Sequence, residues 1–447
     1  MQPFHHLLIN NLVANITNFT VWFAITFWIF LETRSVFATG MIAGIYLVLT
    51  AMLGIWFGSL VDHHRKRTMM IVSSLASLAI YGLALGIHAF DPGARTADTS
   101  GVGLWLFVLL TMFGVIIGNI RMIALPTLVT LLVPEDRRDK ANGLVGMVSG
   151  IGFLTTSAIS GFLVASGGMV ATLTFAIALS SVAALHLLFV PVDEARATDA
   201  AHDEPRRVDL AGTFRLVTAV PGLFALILFS AFNNLLGGVF MALMDAYGLS
   251  LMEVEQWGLL WAFVSCAFIL SGALIARTGL GANPVRTLLL VNLIIWAVAA
   301  VFTIQSSVPL LTLGCFIWLF LGPYAEAAEQ TTLQKVVPFE RQGRVFGFAQ
   351  SVELAASPLT AFLIAPLTQF VFVPLMTTGW GADAIGDWYG RGPERGIAVV
   401  FTIAGIIGVL ATVAAFASRS YRRISAAYAA DPGADAKLAG CKVGAAP

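Results

Sequence analysis

The sequence predicts an all-α membrane protein of twelve transmembrane helices in two pseudo-symmetric six-helix bundles, and three observations carry that reading. Hydrophobic residues fill 58% of the 447 positions against 11% charged, with a mean hydropathy of +0.86, more apolar surface than a water-soluble globule can cover. Polar punctuation divides the chain into twelve apolar runs, each near the roughly 20 residues that a bilayer core requires. Finally, Val133, Pro134, Glu135, Asp136 and Arg137 with Gly143 recur 204 residues later as Val337, Pro338, Phe339, Glu340 and Arg341 with Gly347, each copy lying between two apolar runs. One bundle made twice is transporter architecture.

In order, the runs occupy residues 7–31, 38–61, 68–89, 103–131, 139–166, 169–191, 222–244, 256–277, 285–305, 308–333, 344–374 and 394–417. Their internal Pro and Gly are tolerable because neighbouring helices can satisfy the freed backbone groups. The first run lacks a basic flank and a small-residue cleavage site, so it reads as a retained span rather than a targeting peptide. The longest polar interruption, with Asp193, Glu194, Arg196, Asp199, Asp203, Glu204 and Pro205, separates six runs from six. The expected domains are therefore a first bundle over 1–191, a cytoplasmic linker over 192–221, a second bundle over 222–420 and a cytoplasmic tail over 421–447. The Ala, Gly and Asp content of the tail from Ser425 onward predicts disorder.

Orientation follows from Lys and Arg. With the N-terminus inside, 20 of the 25 basic residues fall on inner loops and the tail, whereas the outer side holds Arg34, Arg95, Arg391 and Arg395. That bias predicts a multi-pass protein of the cell (inner) membrane with both termini cytoplasmic, embedded in membrane lipids and working as a monomer. A net charge of zero with no basic block gives nucleic acid no footprint. Cys266, Cys315 and Cys441 form no disulfide or metal spacing. His5 with His6 and His63 with His64 lack the helical spacing and carboxylate partner of a metal site and read as solvated. With no phosphate-cradling loop and no nucleophile elbow, the sequence predicts neither a cofactor nor an enzyme.

Charge within a span is costly, ~2.5–3.5 kcal/mol on insertion scales, so each instance needs a reason. Arg121 on the fourth span, Glu326 and Glu329 on the tenth and Glu353 on the eleventh lie at one level, on the order of 10–14 Å from the cytoplasmic end at ~1.5 Å rise per residue. The repeat relates Arg121 to Ala325, beside Glu326, so a pair across the two halves is geometrically reasonable. Glu326 and Glu329 share a helical face, and two carboxylates there cannot both ionise cheaply; one can carry a proton. The expected cycle has Arg121 engaging these acids when the inner gate is closed, with protonation releasing it. The competing reading makes these charges helix staples or snorkelling side chains.

On the first span Asn11, Asn15, Asn18 and Trp22 recur at three- and four-residue intervals, a polar and aromatic stripe that should face a cavity or another helix. Asn233, Asn234 and Asp245 echo it on the seventh span. The chain's 32 Phe and 10 Trp offer material for a pocket that holds planar lipophilic cations. Trp257, Trp261, Trp380 and Trp388 sit near span ends and fit an interfacial belt instead.

Between the second and third spans stands Gly58, Ser59, Leu60, Val61, Asp62, His63, His64, Arg65, Lys66, Arg67. This resembles the loop signature of the major facilitator superfamily, Gly-x-Leu-x-Asp-Arg-x-Gly-Arg-Lys, with His63 and Arg65 as departures. A decayed copy, Gly272 to Ala276, carries alanine in place of the aspartate. Asn18 to Trp22, Arg137 to Gly143, Gly343 to Gly347 and Gly390 to Gly396 resemble the macrolide-efflux and enterobactin-exporter branch, whose members are twelve-span drug–proton antiporters. The resemblance implies that Asp62, with Gly58, Arg65, Lys66 and Arg67, holds the second span to the start of the eleventh near Gly343 and Arg344. It also implies that the first, fourth, seventh and tenth spans line the pathway. Thr156 and Ser157 stand where drug–proton antiporters carry a Gly-Pro pair. The expected function is proton-coupled efflux of an amphiphilic, drug-like, cationic or neutral small molecule by alternating access. Export of a siderophore or other dedicated metabolite, uncoupled or inward carriage, and a non-transporting sensor remain as alternatives.

Overall fold

The computed structural model describes residues 2–33, 36–90, 102–192 and 210–429. Arg34, Arg95, Arg196, Arg206, Arg207, Lys437, Lys442 and Cys441, and the acidic residues of the linker between 193 and 204, lie outside the described residues. Among the described residues every regular element is helical.

The first half contains α1 (Gln2–Thr33), α2 (Val36–His63), α3 (Lys66–Phe90), α4 (Val102–Gly118), α5 (Ile120–Leu132) and α6 (Arg138–Phe189). Helices α4 and α5 form one span interrupted at Asn119. The long α6 is two spans joined at Gly167 and Gly168, and Gly168 has φ +57°. Only glycine reaches that backbone region without strain, and this two-residue corner falls between the predicted runs 139–166 and 169–191. The second half contains α8 (Leu223–Leu251), α9 (Val254–Thr278), α10 (Pro284–Val301), α11 (Val308–Val336), α12 (Gln342–Leu367) and α15 (Pro393–Ala417), preceded by a short helix, α7 (Leu210–Ala219). After α12 the chain passes through a π-helical turn, Thr368–Phe372, into α13 (Val373–Thr377) and α14 (Trp380–Tyr389). Helix α16 (Arg419–Ala429) closes the described chain.

Each of the twelve predicted runs falls on helix over most of its length. Among the described residues nine helical stretches are long and apolar enough to cross a membrane, and the bent pair Leu363–Thr377 and Trp380–Tyr389 makes a tenth. That count treats Ile159–Phe189 as one span and finds only Val48–His63 of α2.

The predicted disorder of the tail requires correction at its beginning, where residues 421–429 are helical. Ile424 is 2% exposed, and α16 packs on α8, α10, α11 and α15. Tyr421, Ile424 and Tyr428 recur at three- and four-residue intervals, and that apolar stripe gives the helix a surface to bury. Residues 430–447 lie outside the described residues.

The two halves meet chiefly where α2 packs on α12 and α9 packs on α6. Both contacts crowd the end of the bundle that carries Asp62 and the two repeat loops, called the basic end below. A Cβ on Gly58 would overlap the carbonyl oxygen of Gly343, so this pair of helices can approach only through bare backbone. The repeat is also kept in hydrogen bonding. Arg138 donates from Nε to Val133 O at 3.4 Å and from Nη2 to Thr130 O at 3.0 Å. Gln342, 204 residues on, donates from Nε2 to Val337 O at 3.1 Å and Gln334 O at 3.0 Å, the repeat-related carbonyls.

Candidate functional site

Between the halves lies a cavity of about 390 Å³. Asn11 and Asn15 reach it from α1, Arg121 from α5, Asn142 and Ser149 from α6, Ser230, Asn233 and Asn234 from α8 and Asn292 from α10. Glu326, Glu329 and Gln330 reach it from α11, and Gln350 and Glu353 from α12. The four intramembrane charges predicted to share a level therefore share a cavity. Three of the proposed first-stripe and seventh-span residues do not reach it. Asn18 packs against Gly118, and Trp22 stacks on Tyr46 with ring centroids 4.3 Å apart. Asp245 accepts a hydrogen bond from Trp257 Nε1 at 3.0 Å near the opposite end of α8. Residue spacing fixes which side chains share a helical face; farther along α1 that face meets α2 and α4 rather than the other half.

The expected pairing of Arg121 with the acids of α11 also requires correction. Arg121 is 3% exposed, and it donates from Nη1 to Asn10 Oδ1 at 2.6 Å, from Nη2 to Met70 O at 3.1 Å, and to Ser74 Oγ. All of these partners belong to the first half. Neutral oxygens close at hand satisfy the guanidinium donors without a crossing of the cavity, even with the basic end closed.

On the second-half wall Glu329 stands beside Glu353 and Ser230, and Glu329 Oε1 is buried without a hydrogen-bond partner. Gln330 Oε1 is likewise buried and unpartnered. Glu326 is exposed to the cavity and has no hydrogen-bond or ion-pair partner among the described residues. Asn233 is held by Trp296, whose Nε1 donates to Asn233 Oδ1 at 2.6 Å.

The floor of the cavity is sealed at the basic end. Asp62, 3% exposed, accepts from Gly343 N at 2.6 Å and from Arg344 N at 2.8 Å and Nε at 3.1 Å. The carboxylate thus caps the start of α12, where unpaired N–H groups and the helix dipole favour negative charge. Of the adjoining basic residues, Arg65 is exposed. Lys66 donates to Asp62 O at 3.3 Å and lies 5.3 Å from the centroid of the Phe339 ring. Arg67 donates to Leu187 O and Leu188 O, both at 2.9 Å, closing the end of α6.

A second seal was not singled out by the sequence pattern. Asn142 Nδ2 donates to Thr331 Oγ1 at 2.8 Å and Gln334 Oε1 at 2.9 Å, and Gln334 Nε2 donates to Pro126 O at 3.1 Å. Lys335 pairs with Glu135 at 2.7 Å and lies 4.5 Å from the Tyr428 ring centroid. Gln334 and Gln342 stand 204 residues beyond Thr130 and Arg138, so the repeat itself was the available signal. Asn10 and Ser74, which hold Arg121, had no such signal.

Residues 7–361 match the family model described as Major Facilitator Superfamily. The chain is 22% identical over 369 residues to macrolide efflux protein A of Streptococcus pyogenes, covering 81% of this chain and 88% of that protein. In structure it is similar to a bacterial homologue of the iron transporter ferroportin in an outward-facing state, with a TM-score of 0.66 at 16% identity, covering 94% of this chain and 100% of that one. It is also similar to the human organic anion transporter MFSD10 (TETRAN), with a TM-score of 0.62 at 13% identity, covering 92% and 99% of the two chains. The proton:xylose symporter XylE gives a TM-score of 0.60 at 14% identity, covering 93% and 96%. These structural likenesses speak for the fold. The family match, over most of the chain, makes this multi-pass membrane protein a transporter rather than an enzyme: the chain belongs to the Major Facilitator Superfamily.

Proposed function

We propose that the protein is a secondary active exporter that couples proton entry to efflux of an amphiphilic small molecule, cationic or neutral, by alternating access. The observation behind this reading is the juxtaposition of Glu329 and Glu353 on the cavity wall. Two adjacent carboxyl groups in a poorly hydrated site cannot both ionise cheaply, so one of them holds a proton. The pair is thus a proton store that faces the ligand space. Arg121, tied into the first half, leaves that proton uncompeted, and Glu326 is free to meet a ligand. Cavity access alternates as the Asp62 and Asn142 seals at the basic end open and re-form. Likeness to a macrolide efflux protein supports export of a drug-like compound. One observation favours uncoupled carriage as a second reading. Helix α6 keeps helical φ/ψ at Thr156, with Thr and Ser where the resemblance expects a Gly-Pro pair.

The test is the purified protein in liposomes under an inward proton gradient, with internal pH recorded while lipophilic cations, macrolides and siderophores are added in turn. Proton entry evoked by one compound class, and lost in Glu329→Gln and Glu353→Gln, is the expected result. Compound movement without proton flux would make the protein a facilitator and leave the acids a binding or structural role.

A further inference from the structure

The cavity lining restricts the kind of cation it can hold. Resting on the transport reading above, we infer that its ligand is an organic cation bearing N–H donors: a protonated amine, an amidine or a guanidine. Glu326 supplies the counter-charge, and Glu329 and Gln330 supply the acceptors. These three residues stand at i, i+3 and i+4 on α11, hence on one face. Glu326 is exposed to the cavity with no partner of its own among the described residues, and Glu329 Oε1 and Gln330 Oε1 are buried acceptors that receive no hydrogen bond. An orphaned buried acceptor is unfavourable until a donor reaches it, and a forked N–H cation brings charge and donors together.

Two further features sharpen the selection. Arg121 has its donors turned to Asn10, Ser74 and Met70, so it does not engage Glu326, which is left to meet a ligand. Among the described residues Phe346 is the one aromatic side chain in the lining, which leaves little ring surface for cation–π attraction. A quaternary ammonium or planar lipophilic cation, which depends on ring faces and donates nothing, would leave both acceptors unsatisfied. The abundant Phe and Trp of the chain therefore serve packing and the lipid boundary more than this cavity.

The test compares two probes of equal charge and chain length, hexylguanidinium and hexyltrimethylammonium, by calorimetric titration of the full-length protein in nanodiscs. Hexylguanidinium is expected to bind at least about tenfold more tightly, the scale of one charge-assisted hydrogen bond. Glu326→Gln should weaken hexylguanidinium about tenfold, and Gln330→Leu should weaken it while leaving hexyltrimethylammonium unchanged. Equal affinities, preference for the quaternary probe, absence of binding by both, or wild-type affinity in Glu326→Gln would overturn the inference. If Glu326→Gln does not fold, the wild-type comparison and Gln330→Leu decide it. N–H selectivity without proton-linked flux in liposomes would overturn the coupled reading alone. Coupled flux without N–H selectivity would overturn this inference alone.

Discussion

Asp139 accepts a hydrogen bond from the backbone N–H of Leu280 at 2.9 Å, locking the start of α6 to the end of α9. The repeat relates Asp139 to Gly343, and the decayed loop copy sets Ala276 in the place of Asp62. In one seal the acid stands in the last turn of α2 and meets N–H groups of α12; in the other it has moved to the opposite helix. The first places a carboxylate on N–H groups that a helix start leaves unpaired, and the second places one on a backbone N–H just past the end of α9. The apparent loss of an aspartate in the second half is thus a change of side.

Asp62→Ala should open the basic end. It strands the N–H groups of Gly343 and Arg344 and the Arg344 guanidinium, at about 1–3 kcal/mol for an orphaned buried group. Spin labels at Arg65 and Arg341 should report a longer distance population than in the parent protein. An unchanged distribution would remove the sealing role.

Asp139→Ala should act in the same direction but more weakly, because it releases the N–H of Leu280 and the solvent-exposed N–H of Lys140 rather than three buried donors, a loss of about 1 kcal/mol. Adding Ala276→Asp should recover part of the lost thermal stability if a carboxylate in the last turn of α9 can serve as Asp62 does in the last turn of α2. No recovery in the double variant would show that the two seals are not interchangeable.

Gly58→Ala and Gly86→Ala offer a matched pair. A Cβ at Gly58 meets the Gly343 backbone, whereas at Gly86 nothing lies within 4 Å. Gly58→Ala is expected to cost about 1–3 kcal/mol through overpacking and to impair transport, while Gly86→Ala should match the parent in both melting temperature and flux. Equal behaviour of the two would contradict the close approach of α2 and α12.

Asn10→Leu should destabilise the protein by about 1–3 kcal/mol, since it orphans a buried guanidinium donor. Arg121→Met combined with Asn10→Leu should be milder than the sum of the single changes, because no unpaired charge remains. A double-mutant cycle on melting temperature reads the coupling directly. Strict additivity would place the anchor of Arg121 elsewhere.

The sequence by itself determined the membrane class, the two halves and the break between the runs 139–166 and 169–191. Each of these rests on local composition or on the 204-residue repeat, and an apolar run, a glycine pair or a repeated loop has the same meaning wherever it is packed. It also selected the level at which Arg121, Glu326, Glu329 and Glu353 lie, because helical rise converts residue count into depth. Only the tertiary structure decided what those side chains face. Arg121 turns to Asn10 and Ser74, Glu329 to Glu353, and Asn18 and Trp22 to Gly118 and Tyr46, although each is compatible with the cavity by spacing. Helical periodicity gives the face of one helix. The tilt and neighbours of that helix, set by the packing of all the others, decide whether the face meets ligand space or another side chain.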